Sequence, residues 1–265
     1  MTLAFVNTVY EDNHESVSWR GVELCDCEDL DSYLAGSVRE RLDDDEATED
    51  FRGHLRGLEL TGMGRVHLEE ILSSDASETR DWAAGEALAE RFLMDAHCIE
   101  FPWNMERDKR NPFGSLPGAD LVGFVKRDDG YKLVLGEVKT SSEEKHPPQV
   151  MSGRSGHLGH QIDRLAHDFT ILCQLLKWLL PRVKSGDYEA AFDEACKEFF
   201  NSGKKAVVLF GILVRDTDPD SRDLSGRGTA LRKKLDEPTL CDLIAIHLPW
   251  GNDQLIAHLR SGGVK

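Results

Sequence analysis

Three charged residues stand where a hairpin would otherwise be apolar. Asp120 opens the run Asp120-Leu121-Val122, and Glu137 and Lys139 alternate with apolar neighbours in Leu135-Gly136-Glu137-Val138-Lys139-Thr140. Strand side chains alternate faces, so Glu137 and Lys139 point the same way. Between the two runs lies Arg127-Asp128-Asp129-Gly130, and Asp-Gly is a strong turn signal. A two-residue turn at Asp129-Gly130 sets Asp120 opposite Lys139. A four-residue loop, Arg127 to Gly130, sets Asp120 opposite Glu137. Either register gathers all three side chains on one face, whereas a three-residue loop or a bulge would scatter them.

Charges on such a surface must be paired or bind a metal, because an unpaired buried charge costs several kcal/mol. Two carboxylates and a lysine suit Mg2+, which takes oxygen ligands and keeps several waters. The Val138 carbonyl is a further oxygen within reach of such an ion. A bound ion would lower the pKa of a water and neutralise charge on a phosphate. Lys139 would orient that water or stabilise developing negative charge. The plainer alternative is a salt bridge from Lys139 to Glu137 or Asp120, since this short pattern is degenerate.

The elements that must hold these residues are legible around them. Residues 78–97 read as a helix with Trp82, Glu86, Ala89 and Leu93 on one stripe. A glutamate on a core-facing stripe is unusual, so Glu86 is a candidate for the site, with Glu90 one turn later as its rival. Cys98 to Asn111 reads as a partly basic loop. Leu158 to Leu180 reads as one long helix closed by Pro181. Further helices are predicted at Tyr188 to Phe200, Gly226 to Leu235 and Asp253 to Arg260, and buried strands at Ala206 to Val214 and Leu243 to Leu248. That order predicts an α/β or α+β sandwich with a central mixed sheet. The first 75 residues are harder to read. Leu3 to Tyr10 suits a strand, Asp29 to Leu42 a helix interrupted by Gly36, and Asp43-Asp44-Asp45-Glu46 an exposed loop.

A chain of 265 residues with 40% hydrophobic and 30% charged residues has the composition of a soluble globular protein. No run predicts a membrane span, and the N-terminus lacks the basic start of a signal peptide, so a cytosolic location is expected. Six scattered cysteines, with Cys25-x-Cys27 the one close pair, predict reduced thiols rather than a disulfide framework or a zinc site. The net charge of -16 is uneven: residues 1–80 hold 20 acids and 7 bases, and residues 81–265 hold 28 acids and 25 bases. We therefore expect two parts. Residues 1–75 form an acidic segment, either solvated surface or a docking or regulatory subdomain for a partner. Residues 76–265 form the domain that carries the chemistry. The acidic part would repel nucleic acid, so it should lie away from the groove or cover it.

The helix segment Gly85-Glu86-Ala87-Leu88-Ala89-Glu90, then Ala119-Asp120-Leu121-Val122, then Gly136-Glu137-Val138-Lys139, resembles the PD-(D/E)xK nuclease superfamily over roughly residues 82–140. Ala119 stands where the superfamily usually has proline. The resemblance implies a restriction-endonuclease-like sandwich, a central mixed sheet flanked by helices. It also implies Mg2+- or Mn2+-dependent cleavage of phosphodiester bonds in nucleic acid, with DNA the expected substrate. Asp120 and Glu137 would be metal ligands, Glu86 a further ligand or water holder, and Lys139 the catalytic lysine. Some members carry a glutamine on the following helix, and Gln161 is the candidate here. A basic groove for phosphates would draw on Arg154, His157, His160 and Arg164, with Lys204, Lys205, Arg232, Lys233 and Lys234. His160 and His167 share a helix face, where nucleic-acid contact or plain surface is the expectation rather than a metal. In size and layout the chain also resembles nuclease subunits of bacterial anti-phage defence systems, the Hachiman type among them, which work beside a helicase. The competing expectation is a catalytically weak subunit of the same fold that binds or senses nucleic acid.

Overall fold

The computed structural model of the chain describes residues 3–14, 16–58, 60–73, 81–102, 118–151 and 156–261. Seven strands lie among them: β1 (Val6–Asp12), β2 (Val17–Leu24), β3 (Ile99–Glu100), β4 (Leu121–Arg127), β5 (Gly130–Ser141), β6 (Val207–Arg215) and β7 (Leu240–His247). They form one mixed sheet in the order β1-β2-β7-β6-β5-β4-β3. The inner four, β2, β7, β6 and β5, run parallel, and the flanking pairs β1–β2, β4–β5 and β3–β4 are antiparallel. Every residue of β6, VVLFGILVR, is buried, as expected of a parallel strand covered on both faces.

Alternation along the strands sorts the core into two layers. On one face Leu133, Leu135, Leu209, Leu213, Leu243 and Ala245 meet the helices α6 (Leu158–His167), α7 (Phe169–Val183), α8 (Glu189–Asn201) and α9 (Ser225–Arg232). On the other, Val134, Val138, Val208, Phe210, Ile212 and Ile244 meet α5 (Asp81–His97), α10 (Leu255–Ser261) and the N-terminal helices. Each fully buried Leu or Ile in these layers contributes about 1.5–3 kcal/mol relative to exposure. The molecule is thus an α/β fold with a mixed sheet between helices, as the order of elements predicts.

Several details differ from the sequence reading. The single helix predicted over Leu158–Leu180 is two, broken at Asp168. The Asp168 carboxylate accepts from the backbone N–H groups of Thr170 and Ile171 and caps α7. Pro181 does not close α7, which runs on to Val183. In the last turn a missing N–H removes one bond only, so the helix tolerates it. The helix expected over Asp29–Leu42 is α1 (Glu28–Tyr33), a π turn at Leu34–Val38 around Gly36, and α2 (Arg39–Asp43). The acidic run expected as a loop is a joint: Asp44, at φ 49°, links α2 to α3 (Asp45–Arg56), and α4 (Gly62–Ser73) follows.

The acidic first part is woven into the sheet. β1 and β2 form its edge, and Val22, Leu24, Leu30, Leu34 and Val38 pack into the same core as Leu88 and Leu93 of α5. The boundary expected at residue 75 lies outside the described residues, as do Arg154 and most of the loop expected over Cys98–Asn111. No helix among the described residues is long and apolar enough to cross a membrane.

Candidate active site

The hairpin register decides how the three charged residues meet. Arg127 pairs with Gly130 and Leu121 with Gly136, so Asp128 and Asp129 are the turn. This is the register of the second alternative considered above, and the ladder ends one residue short of Asp120. The backbone then closes around Asp120: its N–H donates to the Gly136 carbonyl at 3.0 Å, and its Oδ2 accepts from the Val138 N–H at 2.9 Å. Lys139 Nζ donates to Glu137 Oε1 at 2.5 Å and lies 3.9 Å from Asp120 Oδ2. All three side chains therefore occupy one face, at the C-terminal end of β5.

Glycine makes the close packing here possible. A Cβ on Gly136 would stand 2.6 Å from the Phe210 carbonyl oxygen. One on Gly211, the β6 residue beside Glu137, would stand 2.7 Å from Leu243 Cδ2 and in contact with Leu158 and Ile162. The N-terminal turn of α6 thus sits over the strand row that holds Glu137.

The electrostatics are those of two crowded carboxylates. Glu137 is 4% exposed. Burial first, and Asp120 second, push its pKa up to about 7, with Lys139 only partly opposing them. Burial also works against the Lys139 charge, but Glu137, then Asp120 and more weakly Glu86, outweigh it and raise the Lys139 pKa. The Lys139 ammonium faces both carboxylates, Glu137 more closely than Asp120.

Glu86 reaches this field from the opposite helical layer. Bare Gly85 of α5 rides on Thr140, where a Cβ would stand 2.6 Å from Oγ1, and this carries the next residue to the end of β5. Glu90, by contrast, is engaged elsewhere: it is buried and ion-paired with Arg41, whose guanidinium also donates to the Phe101 carbonyl at 3.3 Å. Val138 turns its side chain into the α5 layer. Its N–H points to Asp120, and because N–H and C=O of one strand residue face the same neighbour, its carbonyl faces that edge too. Gln161 lies in the first helical turns over Gly211, and its Oε1 accepts from Arg164 at 3.4 Å rather than joining the carboxylates.

The carboxylates that meet here are those of Asp120 and Glu137, with Glu86 acting on Lys139 electrostatically from α5; among the described residues no group of three such side chains is placed to hold a metal ion. Carboxylate oxygens suit a hard divalent cation such as Mg2+ or Mn2+ and not a thiophilic metal.

The other expected contacts are dispersed. His157 begins α6, and His160 and Arg164 are exposed along it. Lys204 and Lys205 precede β6, six or more residues before Gly211, which places them about 20 Å from Glu137 at about 3.3 Å per residue. Lys205 pairs with Asp236 at 2.9 Å, Lys234 with Asp163 at 3.2 Å and Arg232 with Asp12 at 2.7 Å.

One cluster escaped the sequence reading. Two residues beyond Lys139, the row Ser141, Arg215 and His247 continues the same face. Fully buried Arg215 lies 3.3 Å from Asp223, donates to the Ser141 carbonyl and Oγ, and Asp223 pairs with His146 at 2.8 Å. The signal available was a charge ending each apolar strand, Arg215 after GILV and His247 after LIAI. This cluster ties the segment after β5 to the sheet.

No protein-family model matches the chain, and no curated protein matches it.

Proposed function

We propose that the chain is a metal-dependent nuclease of the PD-(D/E)xK type, with its fold the restriction-endonuclease-like variety of α/β sandwich. The observation that supports this most is the convergence of Asp120, Glu137 and Lys139 on one sheet face, with the ammonium between the two carboxylates. Asp120, Glu137 and the Val138 carbonyl would hold Mg2+ or Mn2+, with Glu86 as a further ligand or water holder. When bound, such an ion supplies positive charge to a phosphate and acidifies a water. The chain's own residues do the rest. The Val138 N–H fixes the Asp120 carboxylate. Lys139 keeps its proton, because its raised pKa holds the ammonium charged at neutral pH, and presents N–H donors to phosphate oxygen. Gly136 and Gly211 let the strands close tightly beneath the site.

The substrate we propose is nucleic acid, with DNA first, in a bacterial defence or DNA-processing setting. A protein partner such as a helicase would dock on the acidic first part. In support, the α3–α4 arm exposes Phe51, Leu58, Met63, Val66 and Ile71 close in sequence to the acids of residues 43–50.

The test is plasmid cleavage by the purified chain with Mg2+. We expect nicking that EDTA abolishes and that Lys139→Ala lacks, with the variant still folded. Equal cleavage by both proteins would overturn the assignment. Binding of nucleic acid without any cleavage would instead mark a binding subunit of the same fold.

A further inference from the structure

A second feature of the surface lies along α6, away from the carboxylates. His160, Arg164 and His167 follow one another at helical spacing and are all exposed. The helix starts over Gly211, beside Glu137, and runs toward the far end of the parallel strands. Ten residues make it about 15 Å long. At its C-terminal end lies a cleft of about 710 Å³, lined by Arg164, His167, Phe169 and Lys234 among others. The Phe169 ring is 49% exposed, and Lys204 Nζ stands 4.1 Å from its centroid. An exposed ring beside lysines and an arginine is unusual on a chain of net charge -16.

We propose that α6 and this cleft form a track for single-stranded nucleic acid leading away from the carboxylates. It rests on the nuclease reading for its direction but not for its existence. The cations supply the charge that a phosphate backbone requires, and the ring, with Lys204 over one face, offers its other face to a base. A half-exposed ring stacks on an unpaired base and not on one held in a duplex stack, which favours a single strand over a duplex. The acids nearby do not oppose this: Asp163 is paired with Arg227 and Lys234, and Asp168 caps α7. The substrate would then be cut at or near an unpaired stretch, with the strand held on one side by α6.

The experiment measures binding with EDTA present, so that no cleavage intervenes. The full chain is titrated into fluorescein-labelled oligo-dT and oligo-rU of about 20 nucleotides, longer than the proposed site, and into a DNA duplex of the same length. We expect tighter binding to a single strand than to the duplex, and the two oligonucleotides separate DNA from RNA preference. Phe169→Ala should weaken single-strand binding by about tenfold, the usual cost of losing one stacking platform. Arg164→Glu and Lys204→Glu should weaken it as much and flatten its salt dependence. Arg56→Glu on α3 serves as the charge-matched control and should change little. All of these positions are exposed, and a thermal melt checks each fold. Unchanged affinity in the three track variants overturns the proposal, as does equal binding of duplex and single strand, or competition by oligo-glutamate as strong as by oligo-dT. The two readings fail separately. Loss of binding in the track variants of a chain that never cleaves would keep the track and remove the nuclease. Mg2+-dependent cleavage with unaltered binding would do the reverse.

Discussion

Lys139 donates to Glu137 at 2.5 Å while its ammonium stays 3.9 Å from Asp120, so the same ammonium faces two carboxylates on one sheet face. The pairing is unequal, and burial first and the Asp120 charge second push the Glu137 carboxyl up to about 7.

Asp120 has two tasks that substitution can separate. Its Oδ2 accepts the Val138 N–H, and its charge faces Lys139. Asp120→Asn keeps an oxygen for the backbone and loses the charge. Asp120→Ala also leaves the Val138 N–H without its acceptor, a cost of about 1–3 kcal/mol if the group stays dry. We expect both variants to lose Mg2+-dependent cleavage but only the alanine variant to lose stability, measured by urea unfolding. Equal stability of the two would show that the Val138 bond contributes nothing.

Glu137 should make stability depend on pH in a defined direction. Its folded pKa lies above the ordinary carboxyl value of 4.5. Between 4.5 and about 7 the native chain binds more protons than the unfolded chain, so stability falls as pH rises through that window. Glu137→Gln removes the effect and leaves Asp120 as partner for Lys139. At pH 8 the variant should be more stable than the wild type by up to about 3 kcal/mol, at about 1.4 kcal/mol per pKa unit. Below pH 4.5 the two should converge. Adding Mg2+ at pH 8 should stabilise the wild type and not the variant. A wild type that is the more stable of the two at pH 8 would contradict the crowding argument.

Gly85 is the pivot that brings α5 onto β5. A Cβ there would stand 2.6 Å from Thr140 Oγ1, so Gly85→Ala must push the helix outward. Overpacking of this kind costs about 1–3 kcal/mol. Thr140→Ala removes the obstructing oxygen, and the double variant should recover the loss and keep the better helix former. Cleavage should follow the same pattern, since Glu86 moves with the helix. Additive rather than compensating effects in this double-mutant cycle would show that the two residues do not press on each other.

The acidic first part should prove indispensable for folding. β2 supplies the strand beside β7, and Val22, Leu24, Leu30, Leu34 and Val38 are core residues. A chain that begins at residue 76 should therefore show no cooperative thermal transition. The exposed residues of the α3–α4 arm are different. The triple variant Phe51→Ser, Met63→Ser, Ile71→Ser should melt close to the wild type, since exposed substitutions typically change stability by about 0.5 kcal/mol or less. A folded chain lacking residues 1–75 would show that the sheet tolerates the loss of its edge.

Local pattern carried much of this protein. The apolar runs of β6 and β7 and the Asp-rich turn each announce their element, because burial leaves a period in the sequence, whereas the stripe read for α5 misplaces its face: Trp82 is exposed and Glu90, not Glu86, is the buried glutamate. The alternation of Glu137, Val138 and Lys139 likewise fixes which of them share a face, since that is a property of a single strand. Relations between distant segments were not legible. The break at Asp168 depends on a carboxylate turning back on two amides, which a continuous apolar stripe hides. The engagement of Glu90 turned on Arg41, 49 residues earlier in the chain, which pairs with it. The place of residues 1–24 depended on β2 finding β7 across more than 200 residues, a parallel pairing with no local signal. Spacing along one strand is set by covalent geometry, so sequence alone determines it. The choice of partners is set by packing of the whole chain, so only the tertiary structure decides it.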